Sequence, residues 1–150
     1  MDPIEDVDID ADSTFSQAEE AQSRGHDLCV YNPNSLTFNQ GKIVAKVRSI
    51  TLKRKIGDHV TFGDQEIKEL SEFDVIWLRQ DPPFDMGYIT TTHLLDMVGQ
   101  ETLIVNNPFW VRNLPEKLLV LEFPELIPNT LITRDLEEIK EFKREFGDII

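Results

Sequence analysis

The sequence predicts an α/β fold, a mainly parallel sheet with helices on both faces, from three observations. Short apolar runs (Leu28-Cys29-Val30-Tyr31, Asp74-Val75-Ile76-Trp77-Leu78, Thr102-Leu103-Ile104-Val105) have the length of strands. Segments of helical length and spacing, 13–24 and 86–98, lie between them. The links are short and punctuated by Gly and Pro, as in repeated β–α units.

Taken in order, residues 13–24 read as a helix with Asp12 or Ser13 as its cap and Gly25 as its stop. Asn32-Pro33 closes the strand at 28–31. Residues 36–52 alternate apolar and polar around an Asn39-Gln40-Gly41 turn, an antiparallel hairpin. Residues 64–73 are expected to be irregular or weakly helical, and 74–78 a buried strand. Asp85 caps a helix that runs to Val98, with Gly99 as stop, and 102–105 is the next strand. Pro108 starts a helical turn, and Pro115 starts a helix over 116–123 that Pro124 ends. Residues 129–133 read as a strand. Asp135 and Glu138 form a capping box for a helix with Leu136, Ile139, Phe142 and Phe146 on one face, stopped by Gly147. Asp148-Ile149-Ile150 begins a strand. The domain boundary is placed near 112–114.

Composition narrows the function classes. The chain has 150 residues, 40% of them hydrophobic and 29% charged, which suits one domain or one plus part of another. No run reaches the ~18 apolar residues of a membrane span, and no basic, apolar leader precedes the acidic start, so a cytoplasmic protein is expected. A net charge of −13 opposes binding to nucleic acid or an anionic membrane. Cys29 is the only cysteine, which rules out an internal disulfide framework and reads as a buried structural thiol.

Arg79-Gln80-Asp81-Pro82-Pro83-Phe84-Asp85 is the stretch richest in chemistry. It joins a strand to a helix, where open α/β sheets hold ligands. Pro82 and Pro83 stiffen the loop and aim its carboxylates. A strand-to-helix turn whose Arg and Asp only satisfy each other has the same pattern. At the acidic start, Asp8, Asp10, Asp12 and Glu19 have EF-hand spacing, but Ser13 stands where the loop needs Gly and no entering helix precedes it. A solvated loop favouring the next helix's amino end is the better reading. His26, His59 and His93 have no ligand-spaced neighbours and read as surface or turn residues. Trp77, Phe84, Trp110 and Phe123 read as core or interface, because no basic residues interleave with them.

Several motifs resemble the prokaryotic-type glutathione synthetase in one order along the whole chain. They are Met1-Asp2-Pro3-Ile4, Asp12-Ser13-Thr14-Phe15, Glu20 to His26, Arg79 to Asp85 with Tyr88-Ile89, Leu103-Ile104-Val105-Asn106 with Pro108, Pro115-Glu116-Lys117-Leu118, Leu131 to Arg134 and Gly147 to Ile150. The resemblance implies a pre-ATP-grasp substrate domain over 1–112 and the start of an ATP-grasp domain over 113–150. It implies an amino-terminal piece of a longer protein, without the family's first strand before Met1 and without the glycine-rich loop and metal carboxylates past Ile150. Alone, such a piece is expected to be inactive.

By the same resemblance, the intact enzyme is an ATP-dependent ligase that joins γ-glutamylcysteine to glycine through an acyl-phosphate. ATP and Mg2+, or Mn2+ in its place, would serve it, with ligands mostly outside this chain. Arg79, Asp81 and Asp85 are the implied substrate loop, Asp2 and Ser13 secondary substrate contacts, and Lys117 the ATP contact. No metal ligand is expected here, and a homo-oligomer, a tetramer in the family, is implied. Two alternatives stay open: another ATP-grasp carboxylate–amine ligase, and a non-catalytic binding module with the same domain.

Overall fold

A computed structural model describes residues 3–150 and divides the chain into two units, Met1–Asn113 and Leu114–Ile150. In the first, Asp12 caps helix α1 (Ser13–Ser23) by accepting the Phe15 N–H at 2.6 Å, and Gly25 follows with φ 85°. Strands β1 (Leu28–Tyr31), β2 (Thr37–Asn39), β3 (Lys42–Leu52) and β4 (Val60–Glu69) form one sheet. Strand β3 is its spine. It pairs with β2 at its start (Phe38↔Ile43), with β1 further on (Tyr31↔Val47, Leu28↔Ile50) and with β4 along its length. The β2–β3 turn has positive φ at both Gln40 (50°) and Gly41 (85°), which suits the twist of a two-residue hairpin.

All pairs in this sheet are antiparallel, which corrects the expected mainly parallel sheet. Among the described residues only β5 (Val75–Trp77) and β6 (Leu103–Val105) pair parallel, Ile76 opposite Ile104. The reason lies in the connections. A parallel pair needs a crossover of a dozen residues or more, and the short link 53–59 between β3 and β4 permits only an antiparallel return. The link from β5 to β6 is long enough and carries helix α2 (Met86–Leu95).

Residues 64–69, expected to be irregular, complete β4. Their charges conceal the strand, but a sheet edge tolerates charge, and Lys42 on β3 pairs with Glu69 at 2.5 Å. At the irregular step Arg48↔Gln65 and Ile50↔Phe62, Gly63 and Asp64 stand against Ser49. A Cβ on Gly63 would strike the Ser49 hydroxyl, so a larger residue there would oblige the Ser49 side chain to turn away.

Strand β3 buries each face in turn. Ile43, Ala45 and Val47 pack with Leu70, Ile76, Leu78 and Leu95, while Ile50 and Leu52 join Ile4, Val7, Ile9, Phe15 and Ala18. Side-chain alternation puts these two clusters on opposite faces of the sheet. Cys29 lies opposite Ser49, on the face that β3 buries only along its first half. Its thiol is therefore exposed, not buried as expected. Strand β5 likewise hides Ile76 but exposes Val75 and Trp77, so it is half-buried where full burial was expected. Phe84 and Trp110 are exposed as well, which leaves no core role for them. Helix α2 ends at Leu95 with Asp96 as its cap, earlier than Val98, and Gly99 does not take positive φ. Helix α3 (Pro108–Asn113) closes the unit, with Arg112 salt-bridged to Asp96 at 2.5 Å.

The second unit holds α4 (Glu116–Leu119) and α5 (Leu136–Phe146). The expected helix over 116–123 is one α turn followed by a 3-10 turn at Val120–Glu122. The expected strands at 129–133 and 148–150 are absent, because a strand needs a neighbour's row of donors and acceptors and no described segment of this unit supplies one. Phe123, expected in a core or interface, is exposed. Asp135 caps α5 by accepting the Glu137 N–H at 2.9 Å. The reciprocal half of the expected capping box is replaced: the Asp135 N–H donates to Thr133 Oγ1 at 3.0 Å. Gly147, with φ 84°, ends the helix.

Candidate functional site

The loop from Arg79 to Asp85 leaves the carboxyl end of β5, beside the carboxyl end of β6. The two ends are joined where the Leu78 N–H donates to Val105 O at 2.5 Å and Asn106 Nδ2 donates to Leu78 O at 3.5 Å. Pro82–Pro83 is cis, as is Val105–Asn106. Asp85 ends the loop as the cap of α2, its Oδ1 accepting the Tyr88 N–H at 2.9 Å. Gly87 keeps that carboxylate seated, since a Cβ there would crowd Asp85 Oδ1 at 3.2 Å. The Phe84 and Tyr88 rings lie 4.9 Å apart. Partial burial raises the Tyr88 phenol, and the Asp81 charge raises it further.

Arg79 reaches across the fold to the first turn of α1. Its Nε–H donates to Thr14 Oγ1 at 3.1 Å and its Nη2–H to Ser13 Oγ at 2.8 Å. The structure thus brings Arg79 and Ser13 within hydrogen-bonding distance of one another. Thr14 is buried, Ser13 exposed. Thr14 escaped the sequence reading because a threonine in a helix's first turn carries no distinguishing signal. Gln80 escaped as well: its Oε1 is buried with no hydrogen-bond partner among the described residues.

The segment leading into α1 is fastened from below. His59, expected at the surface or in a turn, is buried, its Nε2 2.7 Å from Ile4 O and its ring edge-on to Phe15 at 5.7 Å. It fills a gap under the acidic loop, which no sequence spacing reveals. His26 and His93 are exposed. Arg54 grips the same loop, with Nη2 2.7 Å from Glu19 and Nη1 donating to Ile9 O at 3.0 Å. Glu19 and Asp10 therefore serve as partners of Arg54, and Asp12 serves as a helix cap. Asp2 lies outside the described residues. Lys117 stands exposed on α4 in the second unit.

Among the described residues no three His, Cys, Asp or Glu side chains converge to hold a metal ion. No described helix is long and apolar enough to cross a membrane.

Comparison with known proteins agrees along the chain. Residues 1–112 match the family model "Prokaryotic glutathione synthetase, N-terminal domain", and residues 116–150 match "Prokaryotic glutathione synthetase, ATP-grasp domain". Proteins named glutathione synthetase from Brucella melitensis and Mesorhizobium japonicum are 53% and 49% identical over 150 residues, all of this chain and 48% of each relative. One from Vibrio parahaemolyticus is 41% identical over 151 residues, again 48% of its length. The chain spans about half the length of the curated relatives it matches.

Proposed function

This chain belongs to the prokaryotic glutathione synthetase family, and from that we propose that it supplies the dipeptide-binding region of an ATP-dependent ligase joining γ-glutamylcysteine to glycine. The observation that carries the reading is the seating of Arg79 at the carboxyl ends of a parallel strand pair, held by hydroxyls from α1. A guanidinium fixed in this way suits one carboxylate of the dipeptide, because its donors have a rigid planar geometry.

In the proposed reaction ATP phosphorylates the cysteinyl carboxylate of the dipeptide, and the glycine amine attacks the acyl-phosphate and releases phosphate. Positioning and charge neutralisation supply most of the catalysis. Asp85 orients the loop through its cap on α2, and Asp81 orients the loop or the substrate ammonium. Ser13 and Asp2 stand as secondary contacts. Lys117, a compact mobile cation, would meet the ATP phosphates. Mg2+ would neutralise the transferring phosphoryl group, and we assign none of the described residues to hold it. Residues 1–112 are taken as the substrate domain and 113–150 as the start of the ATP-grasp domain. A homo-oligomer, tetrameric as the family resemblance implies, and a cytoplasmic setting complete the proposal.

Steady-state kinetics of the intact enzyme test it. Arg79→Ala should raise the KM for γ-glutamylcysteine about 30-fold with little change for ATP, the loss of a charge-assisted hydrogen bond of roughly 2–3 kcal/mol. Lys117→Ala should do the reverse, weakening ATP alone. An unchanged dipeptide KM in folded Arg79→Ala enzyme removes Arg79 from the substrate site. Normal ATP binding and turnover in Lys117→Ala makes Lys117 an ordinary surface residue.

A further inference from the structure

We propose that Ser13 and Thr14 are positioning residues that set the plane and direction of the Arg79 guanidinium for the substrate carboxylate. This rests on the reading of Arg79 as a dipeptide contact. Nε–H and one Nη2–H of an arginine project from the same edge of the planar group, and here that edge meets two neighbouring hydroxyls, Thr14 Oγ1 at 3.1 Å and Ser13 Oγ at 2.8 Å. One hydrogen bond would leave the group free to swivel about its axis, whereas two from one edge fix its plane.

The hydroxyls are themselves anchored. They sit on successive residues in the first turn of α1, whose start is fixed by the Asp12 cap. Thr14 is only 6% exposed, and the neighbouring Phe15 is fully buried against the core. The acidic segment before the helix is held by His59 on Ile4 and by Arg54 on Ile9 and Glu19. The rigid first core cluster is thereby connected to a substrate loop that lies 65 residues further along the chain. A threonine with a buried hydroxyl donating nothing to its own helix, yet accepting from a distant arginine, has a role that helix formation does not require. A lysine at position 79 could satisfy one hydroxyl but not both with fixed geometry.

The test uses the intact enzyme and separates the hydroxyl from the side chain's shape. Thr14→Val keeps the volume and removes the acceptor, while Thr14→Ser keeps the acceptor. Thr14→Val should raise the KM for γ-glutamylcysteine about five-fold, as for loss of one hydrogen bond, with kcat at saturation and the KM for ATP within about two-fold. Thr14→Ser should stay near wild type. Exposed Ser13→Ala, which carries no risk to the core, should shift the same constant in the same direction. In an Arg79→Ala background Thr14→Val should add nothing, because the group that this hydroxyl orients is gone.

If Thr14→Val and Ser13→Ala leave the dipeptide KM unchanged while Arg79→Ala raises it, the positioning role fails and the substrate reading stands. If Thr14→Val keeps its full effect in the Arg79→Ala background, it acts on substrate or fold directly and the positioning role is overturned. If Arg79→Ala itself changes nothing, the substrate reading falls first.

Discussion

The unit Met1–Asn113 holds two clusters of buried apolar side chains, one on each face of β3, although Trp77, Phe84 and Trp110 stay exposed, whereas in Leu114–Ile150 no described residue is buried. The second unit is not poor in apolar residues: Leu118, Phe123, Leu136, Ile139 and Phe146 all stand partly in solvent. The difference separates two sources of structure. Helix α5 is specified by local signals alone, namely an Asp135 cap, a Lys140–Glu137 pair at 2.7 Å, an Arg144–Glu141 pair at 3.2 Å and a Gly147 stop. The ion pairs amount to tenths of a kcal/mol each and the cap to about 1 kcal/mol, together too little to hold a short helix in water. Strand β4 is the opposite case, locally unpromising and fixed by its partner β3.

The largest expected effect follows from that contrast. Produced separately, residues 1–113 should melt cooperatively, because they contain their own cores, while residues 114–150 should give weak helical signal and no cooperative transition. Circular dichroism melts of the two pieces check this. In amide hydrogen exchange on the 150-residue chain, β3 amides should be the most protected and α5 amides should exchange far faster. Protection of α5 equal to that of β3 would break the comparison.

A pair of phenylalanines sharpens it. Phe15 is 0% exposed in the first core cluster, and Phe146 is 42% exposed beside Phe142, ring centroids 4.6 Å apart. Phe15→Ala should destabilise the first unit by about 3–5 kcal/mol, the usual cost of emptying an aromatic site in a packed core. Phe146→Ala should stay within about 1 kcal/mol, as for loss of one exposed ring pair. Denaturant midpoints of the two variants measure the difference, and equal shifts would show that α5 is as well packed as α1.

The same distinction explains what was legible in the sequence. Elements with strong local chemistry were readable: α1 from Asp12 and Gly25, the β2–β3 hairpin from Gln40-Gly41, and α2 from Asp85. The sheet's direction was not, because short apolar runs look alike whether their neighbours run parallel or antiparallel, and only the links decide. Nor was the strand at Asp64 to Glu69, whose stability lies across the sheet at Lys42 and the rest of β3. Within the site, the Arg79 loop stood out by composition. Thr14, His59 and Gln80 stayed hidden, since their significance is a contact or a gap created by folding.

The smallest predicted effect is a pH dependence confined to the unit that has a core. Tyr31 packs against the second cluster, and burial pushes its phenol up to about 12. An unfolded tyrosine ionises near about 10, so between these values the folded state holds a proton that the unfolded state releases. Stability contributed by the neutral phenol is therefore fully present below about pH 10 and declines as pH rises through about 12. Both tyrosines of the chain, Tyr31 and Tyr88, belong to the first unit, and Tyr88 is only partly covered. Tyr31→Phe should then flatten the alkaline loss of stability, measured as the change in denaturant midpoint between about pH 9 and about pH 11. Tyr88→Phe should flatten it less. If wild type and Tyr31→Phe lose stability equally over that range, the phenol is solvated and the second cluster does not close over β1 at Tyr31.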